Sequence, residues 1–185
     1  MNLWWFISSS RHCRYDELKQ RRCIALGWPE LGDLSRYIKD KPGWERQFKT
    51  FIQLRGNLAY GPHSPQWTEA DQHLNEGIPA VFWDFIHINV GDYIVVMETG
   101  SQITLGNIEV MGIAKVTRDA LSSYHFDDQF HHAHQVCGGL QWHDWNRARH
   151  GELEKPKQSF KALLKDNEQL SQVADAWQDQ LSEIA

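Results

Sequence analysis

The stretch from Val90 to Thr117 constrains the fold more than any other. Val90-Gly-Asp-Tyr-Ile-Val-Val-Met97 reads as a turn feeding a strand, Gln102 to Val110 follows, and Met111-Gly-Ile-Ala-Lys-Val-Thr117 comes next. Short strands of β-branched residues bounded by glycine predict a small barrel. Leu3 to Ile7 reads as a first strand and Arg22 to Leu26 as a second. His131 to Trp142 holds a late strand, with Gly138-Gly139 as a bulge or bend.

Helical signals lie between and after these strands. Residues 11–21 read as a loop or a short helix around Tyr15 and Leu18. Asp33 is a good N-cap for a helix over Leu34 to Lys39. From Trp44, apolar residues recur at near-helical spacing through Phe48, Phe51, Ile52 and Leu54, and Gly56 can end that helix. Thr68 can open a short helix within residues 67–76, and Pro79 to Ile86 reads as a short helix or part of an extended turn. After a polar linker at 151–157, a stripe of Phe160, Leu163, Leu164, Leu170, Val173, Trp177, Leu181 and Ile184 predicts a C-terminal amphipathic helix. That helix either packs on the domain core or docks on a second copy or a partner. The expected class is α+β, with a domain over residues 1–150 and a linker and helix over 151–185.

A chain of 185 residues suits one domain. No run approaches the ~20 apolar residues of a membrane helix, and the apolar start lacks the basic lead of a signal peptide. Three widely spaced cysteines, Cys13, Cys23 and Cys137, fit a reduced, cytoplasmic protein. The net charge of −5 argues against indiscriminate nucleic-acid binding, but it hides an asymmetry. Residues 1–55 carry eleven Lys/Arg against six Asp/Glu, whereas residues 56–185 carry eight against eighteen. A local basic face can therefore meet phosphates on a protein that is acidic overall; ordinary charge scatter on a solvated surface is the alternative. Nine tryptophans and ten histidines are both high, and tryptophan lines aromatic pockets as well as filling cores.

Leu3-Trp-Trp-Phe-Ile-Ser-Ser9 resembles the first strand of the PUA-like superfamily, in particular its EVE and YTH members. Val90 to Met97 resembles that superfamily's "GD, then hydrophobic strand" element, and Val110-Met-Gly-Ile-Ala-Lys-Val116 its next strand. Ile24-Ala-Leu-Gly-Trp-Pro-Glu-Leu-Gly-Asp-Leu-Ser35 resembles a loop of EVE-like domains in modification-dependent restriction systems. His134 to Trp142 sits where the family places a late strand ending in tryptophan. The resemblance covers roughly residues 1–150. It departs in a long insertion from about Gly43 to Trp83, in the C-terminal helix, and in the Met97-Glu98-Thr99 end of the strand after the GD pair.

The resemblance implies a small, strongly curved mixed barrel flanked by helices that binds an extruded, often methylated, base without catalysis. It favours DNA over RNA and implies an effector protein as partner, or action alone as a sensor. The chemistry is consistent: stacking contributes ~1–3 kcal/mol per base, against an extrusion cost of a few kcal/mol. The candidate pocket residues are Trp5, Ser8, Trp28, Asp33, Phe82, Trp83 and Met97. Trp28 is a stacking wall or a core or lid tryptophan. Asp33 is an acceptor for a base N–H or a helix cap. Trp5 with Ser8 is a strand-end pocket, Phe82 and Trp83 are a second wall or packing, and Met97 is a cage or core residue. Arg11, Arg14, Arg21 and Arg22 are the candidate phosphate contacts, which position rather than specify.

Other classes leave weaker marks. His125, Asp127, Asp128, His131, His132 and His134 cluster, with Cys137 and His143 after them, but their spacing matches no known metal motif, and exposed loop histidines are expected instead of a metal site. No cofactor is implied. Glu109 and Lys115 are the only hint of a metal-dependent nuclease, and they lack an acidic partner. A protein-interaction module, anchored by tryptophans and the C-terminal helix, is the other rival.

Overall fold

The structure is a computed structural model that describes residues 1–9, 12–99, 108–154, 156 and 162–184. The class is α+β. Among the described residues, eight strands form two open sheets, neither closed into a barrel, together with seven helices.

The larger sheet is built on β1 (Leu3–Ser9), β3 (Tyr93–Thr99), β4 (Ile108–Val116), β7 (Leu140–Asp144) and β8 (Leu163–Lys165), in the order β7-β4-β3-β1-β8. β1 runs parallel to β3 with Leu3 opposite Tyr93, and the other pairings are antiparallel. The smaller sheet holds β2 (Cys23–Leu26), β6 (His134–Cys137) and β5 (Tyr124–Phe126), in the order β2-β6-β5. Most of the expected Gln102 to Val110 strand lies outside the described residues, and Ile108 to Val116 is one strand rather than two.

Strand alternation sorts the aromatic side chains of β1 onto two faces. Trp4 and Phe6 join Ile94, Val96, Ala114 and Val116 in a main core shared with the smaller sheet and the helices beyond it. Leu3 and Trp5 join Tyr93, Val95, Met97 and Ile113 in a second core on the opposite face. Helix α7 (Leu170–Ile184) closes that second core with Val173 and Trp177, and with Leu170 and Ala174 packed against it. Full burial of a large apolar side chain contributes roughly 1.5–3 kcal/mol. The residues after 150 thus supply both an edge strand on β1 and the cover of a core. Leu163 and Leu164 belong to that strand, not to the expected helix, because they complete the β1 ladder opposite Phe6 and Trp5.

The expected turn before β3 is anchored by a buried carboxylate. Asp92 is fully buried and accepts from the Asn2 backbone N–H at 2.7 Å, the Trp4 indole N–H at 2.9 Å and the Asn89 N–H at 3.1 Å. It ties the chain start to the β3 turn.

The insertion forms α2 (Trp44–Tyr60), α3 (Glu69–Gln72) and α4 (Ile78–Ile86). Thr68 caps α3 in a capping box with Asp71. Helix α2 runs past Gly56 to Gly61. Gly56 ends nothing; a Cβ there would lie 2.0 Å from the Trp67 ring, so the glycine serves close packing. Asp33 starts no helix over Leu34 to Lys39. One turn forms, with the Tyr37 N–H donating to the Leu34 carbonyl at 2.8 Å. The Asp33 carboxylate instead accepts from the Ser35 N–H at 2.9 Å, closing an Asx turn that competes with helix. Three short helices complete the set, of which two are α1 (Tyr15–Arg21), before β2, and α5 (Ala120–Ser123), before β5. Helix α6 (Arg147–His150) follows β7.

Candidate functional site

The loop after β2 holds a half-buried aromatic on a left-handed backbone. Trp28 follows Gly27 with φ 61° and ψ 52°, a left-handed conformation that a bulky residue rarely takes. Three contacts hold it there. Its carbonyl accepts from His134 Nε2 at 3.0 Å. Its ring meets Phe82 of α4 edge-on, with centroids 5.9 Å apart. Pro29–Leu31 forms a 3-10 turn directly after it, and the Arg55 guanidinium of α2 donates to the Leu31 carbonyl at 2.8 Å.

His134 is fully buried at the start of β6. Burial holds its pKa down at about 4, so the imidazole is neutral at pH 7. A carbonyl only accepts, so the proton resides on Nε2 and Nδ1 takes the Tyr124 hydroxyl at 2.7 Å. The Tyr124 oxygen accepts the Leu34 N–H at 3.3 Å. This relay fixes both ends of the Trp28–Leu34 loop to β5 and β6. Burial raises the Tyr124 pKa, which keeps its hydroxyl a donor.

Asp33 is exposed in the same loop, and its pKa is lowered by the Ser35 hydroxyl and N–H. It is an ionised acceptor five residues after Trp28 in the chain. Phe82 is fully buried, so it backs the Trp28 ring rather than offering a free face. Trp83 is half-buried between Phe48 (5.8 Å) and His87 (3.7 Å).

The remaining pocket candidates do not converge on this loop. Trp5 and Met97 point into the second core, under α7, because β1 and β3 alternate. The Trp5 indole nitrogen is buried there without a partner among the described residues. Ser8 is buried, and its hydroxyl donates to the Met97 carbonyl at 3.1 Å.

The basic candidates scatter around α1. Arg11 lies outside the described residues. Arg14 is exposed and pairs with Asp16 at 3.7 Å. Arg21 spans Asp127 at 3.3 Å and Glu17 at 3.9 Å, over the Phe130 ring. Arg22 makes no ion pair among the described residues. With Lys19, Gln141, Trp142 and His143 it lines an open groove of about 500 Å³. Lys19 bonds Asp144 at 2.7 Å at that groove's edge.

The histidines separate. His134 turns inward to Trp28, His143 meets the Trp177 ring edge-on at 4.4 Å, and His131 stacks on His12 at 4.2 Å. Among the described residues, no three His, Cys, Asp or Glu side chains are grouped to hold a metal ion. Glu109 and Lys115 share β4, six residues apart, so at about 3.3 Å per residue they are roughly 20 Å from one another.

Tyr124 and Trp142 had no place among the sequence candidates for binding; His134 entered only through the histidine cluster, and Lys19 only through the basic balance of residues 1–55. His134 and Tyr124 matter through partners 106 and 90 residues away, which no local pattern marks. Comparison with known proteins adds no name to this geometry: no family model and no curated protein matches the chain. No helix among the described residues is long and apolar enough to cross a membrane.

Proposed function

We propose that the chain is a non-catalytic nucleic-acid-binding module of PUA-like, EVE type that recognises a modified base, DNA in preference to RNA. The observation that carries this reading is Trp28. A half-buried indole is held in a costly left-handed conformation by a buried histidine, a tyrosine and a phenylalanine. Strain of this kind, about 1–3 kcal/mol, persists where surrounding structure enforces it and clusters at binding sites.

Trp28 supplies a stacking face and Asp33 an anionic acceptor for a base N–H. A methyl group on a base amine removes one donor and adds apolar area, so an aromatic face beside one acceptor selects it. The GD turn anchored by Asp92 and the parallel β1–β3 pair support the PUA-like reading. The open groove with Arg22 and Lys19 lies at the opposite end of β2 from Trp28, suited to a phosphate contact that positions the strand.

The test is fluorescence anisotropy with matched DNA and RNA oligonucleotides, unmodified or carrying N6-methyladenine, 5-methylcytosine or 5-hydroxymethylcytosine. Preference for one modified DNA is expected. Absence of binding to all of them at low salt overturns the reading in favour of a protein-interaction module.

A further inference from the structure

Two of the three cysteines, 114 residues apart in sequence, meet in the fold. Cys23 and Cys137 face each other in direct register across β2 and β6. On the next rung, the Gly138 N–H donates to the Arg22 carbonyl at 3.1 Å. Ladder bonds alternate, so Cys23 and Cys137 occupy a non-hydrogen-bonded rung. Such rungs bring Cα atoms to about 4.5 Å, within the roughly 4.4–6.8 Å that a disulfide spans.

The two thiols differ in accessibility and in the direction in which their surroundings move their pKa values. Cys23 is fully buried, and its pKa is raised by its hydrogen bond to Cys137 and by burial. Cys137 is half-buried, and its pKa is lowered by that same hydrogen bond and by the Arg21 guanidinium. The Cys137 thiol donates to Oε1 of Gln135, two residues before it, at 3.3 Å, while Gln135 Nε2 is buried without a partner among the described residues. Turning that amide over gives a Cys137 thiolate a donor. Cys13 is a poor competitor: it is fully buried, and its pKa is pushed up to about 12 by that burial.

We propose that Cys23 and Cys137 form a reversible thiol–disulfide pair that responds to peroxide, with Cys137 the reacting sulfur and Cys23 the resolving one. The Cys137 thiolate attacks one peroxide oxygen, forming an S–O bond as the O–O bond breaks. Hydroxide leaves and takes a proton from solvent to become water. The Cys23 sulfur then attacks the sulfenic sulfur of Cys137, forming the S–S bond as the S–O bond breaks. The departing oxygen carries away the Cys23 proton as a second water. Two thiols are oxidised and one peroxide is reduced to two waters. The new bond fixes β2 to β6 three rungs from Leu26–His134, the rung whose histidine holds Trp28.

The experiment treats the whole chain with a small excess of hydrogen peroxide and reads free thiols, intact mass and unreduced peptides. The expected result is a fall from three titratable thiols to one, loss of two hydrogen atoms, and a Cys23–Cys137 cross-linked peptide that dithiothreitol reverses. Cys23→Ser stops at a Cys137 sulfenic acid that dimedone captures, and Cys13→Ser behaves as the parent. Three persisting thiols, a bond through Cys13 or between chains, or sulfinic acid on Cys137 without a disulfide would each overturn the proposal. The wild-type peptide map decides this even where a variant does not fold.

Discussion

His134 Nε2 donates to the carbonyl of Trp28 at 3.0 Å while its Nδ1 accepts the Tyr124 hydroxyl at 2.7 Å, so one buried neutral imidazole sets the backbone of the loop with the most exposed candidate base contact. Tyr124→Phe deletes the centre of the relay and leaves the Leu34 N–H and His134 Nδ1 short of partners. An unmade buried hydrogen bond costs about 1–3 kcal/mol. Urea unfolding should show a loss of that size, and His134→Ala should lose more because a cavity is added.

The same imidazole predicts a pH dependence. His134 titrates at about 4 in the fold, from an ordinary 6.5, because burial penalises its charge; half-buried His132 is held near 4 by burial and by the neighbouring His131 and His12. The unfolded chain therefore binds protons that the folded chain refuses between about pH 6.5 and 4. Stability is fully present above that window and falls through it on acidification, by up to roughly 3 kcal/mol for each histidine. Tm followed from pH 7.5 to 4.5 should decline in wild type and less steeply in His134→Gln; a flat profile would contradict the assignment.

Trp28 sits where glycine is the unstrained choice. Relative to Trp28→Ala, Trp28→Gly should be more stable by about 1 kcal/mol, since it has no Cβ to clash at positive φ. Chemical denaturation of the two variants side by side checks this, and both should lose modified-base binding.

Gly56→Ala should be strongly destabilising although alanine is the better helix former by about 1 kcal/mol. The new Cβ would lie 2.0–2.4 Å from three atoms of the fully buried Trp67, whose indole N–H is fixed on Asn57 at 2.9 Å. Overpacking of about 1–3 kcal/mol or more should outweigh the propensity gain and lower Tm.

Asp92→Ala should destabilise by about 2–3 kcal/mol, because it strands the buried Trp4 indole N–H and unties the half-buried Asn2 and the exposed Asn89 from the turn. Trp4→Phe removes one of those bonds and should cost about 1–2 kcal/mol. Hydrogen exchange at the Asn2 and Asn89 amides would localise both effects.

The strands at Leu3, Arg22 and Val90 and the short helix at Thr68 were legible because alternation, caps and glycine turns are local signals; Pro79 to Ile86, open between helix and turn, is helix, and the short strand at Tyr124 carried no such signal. Gly56 misled because a glycine within a helix and one after it look alike until Trp67 is placed on it. Leu163 and Leu164 fit a helical stripe by spacing, but their neighbours on β1 make them an edge strand. Sequence singled out Trp28 and Asp33, and the structure places both in the loop after β2, each with its own partners: His134 and Phe82 for Trp28, Ser35 for Asp33. It could not divide Trp4 from Trp5, since alternation says that they face opposite ways without saying which core each enters. Nor could it show that the insertion brings Arg55 and Phe82 to the Trp28 loop, or that Cys23 and Cys137 are partners.

The central claim is that Trp28 reads a modified base. Its most direct test is anisotropy at fixed salt on a DNA duplex carrying one modified base and on its unmodified twin, with wild type and Trp28→Gly. Tighter binding of wild type to one modified duplex is predicted. That preference should vanish in Trp28→Gly, while the weak salt-dependent affinity contributed by Arg22 and Lys19 remains. Equal binding of both duplexes, or a preference that survives Trp28→Gly, would contradict it.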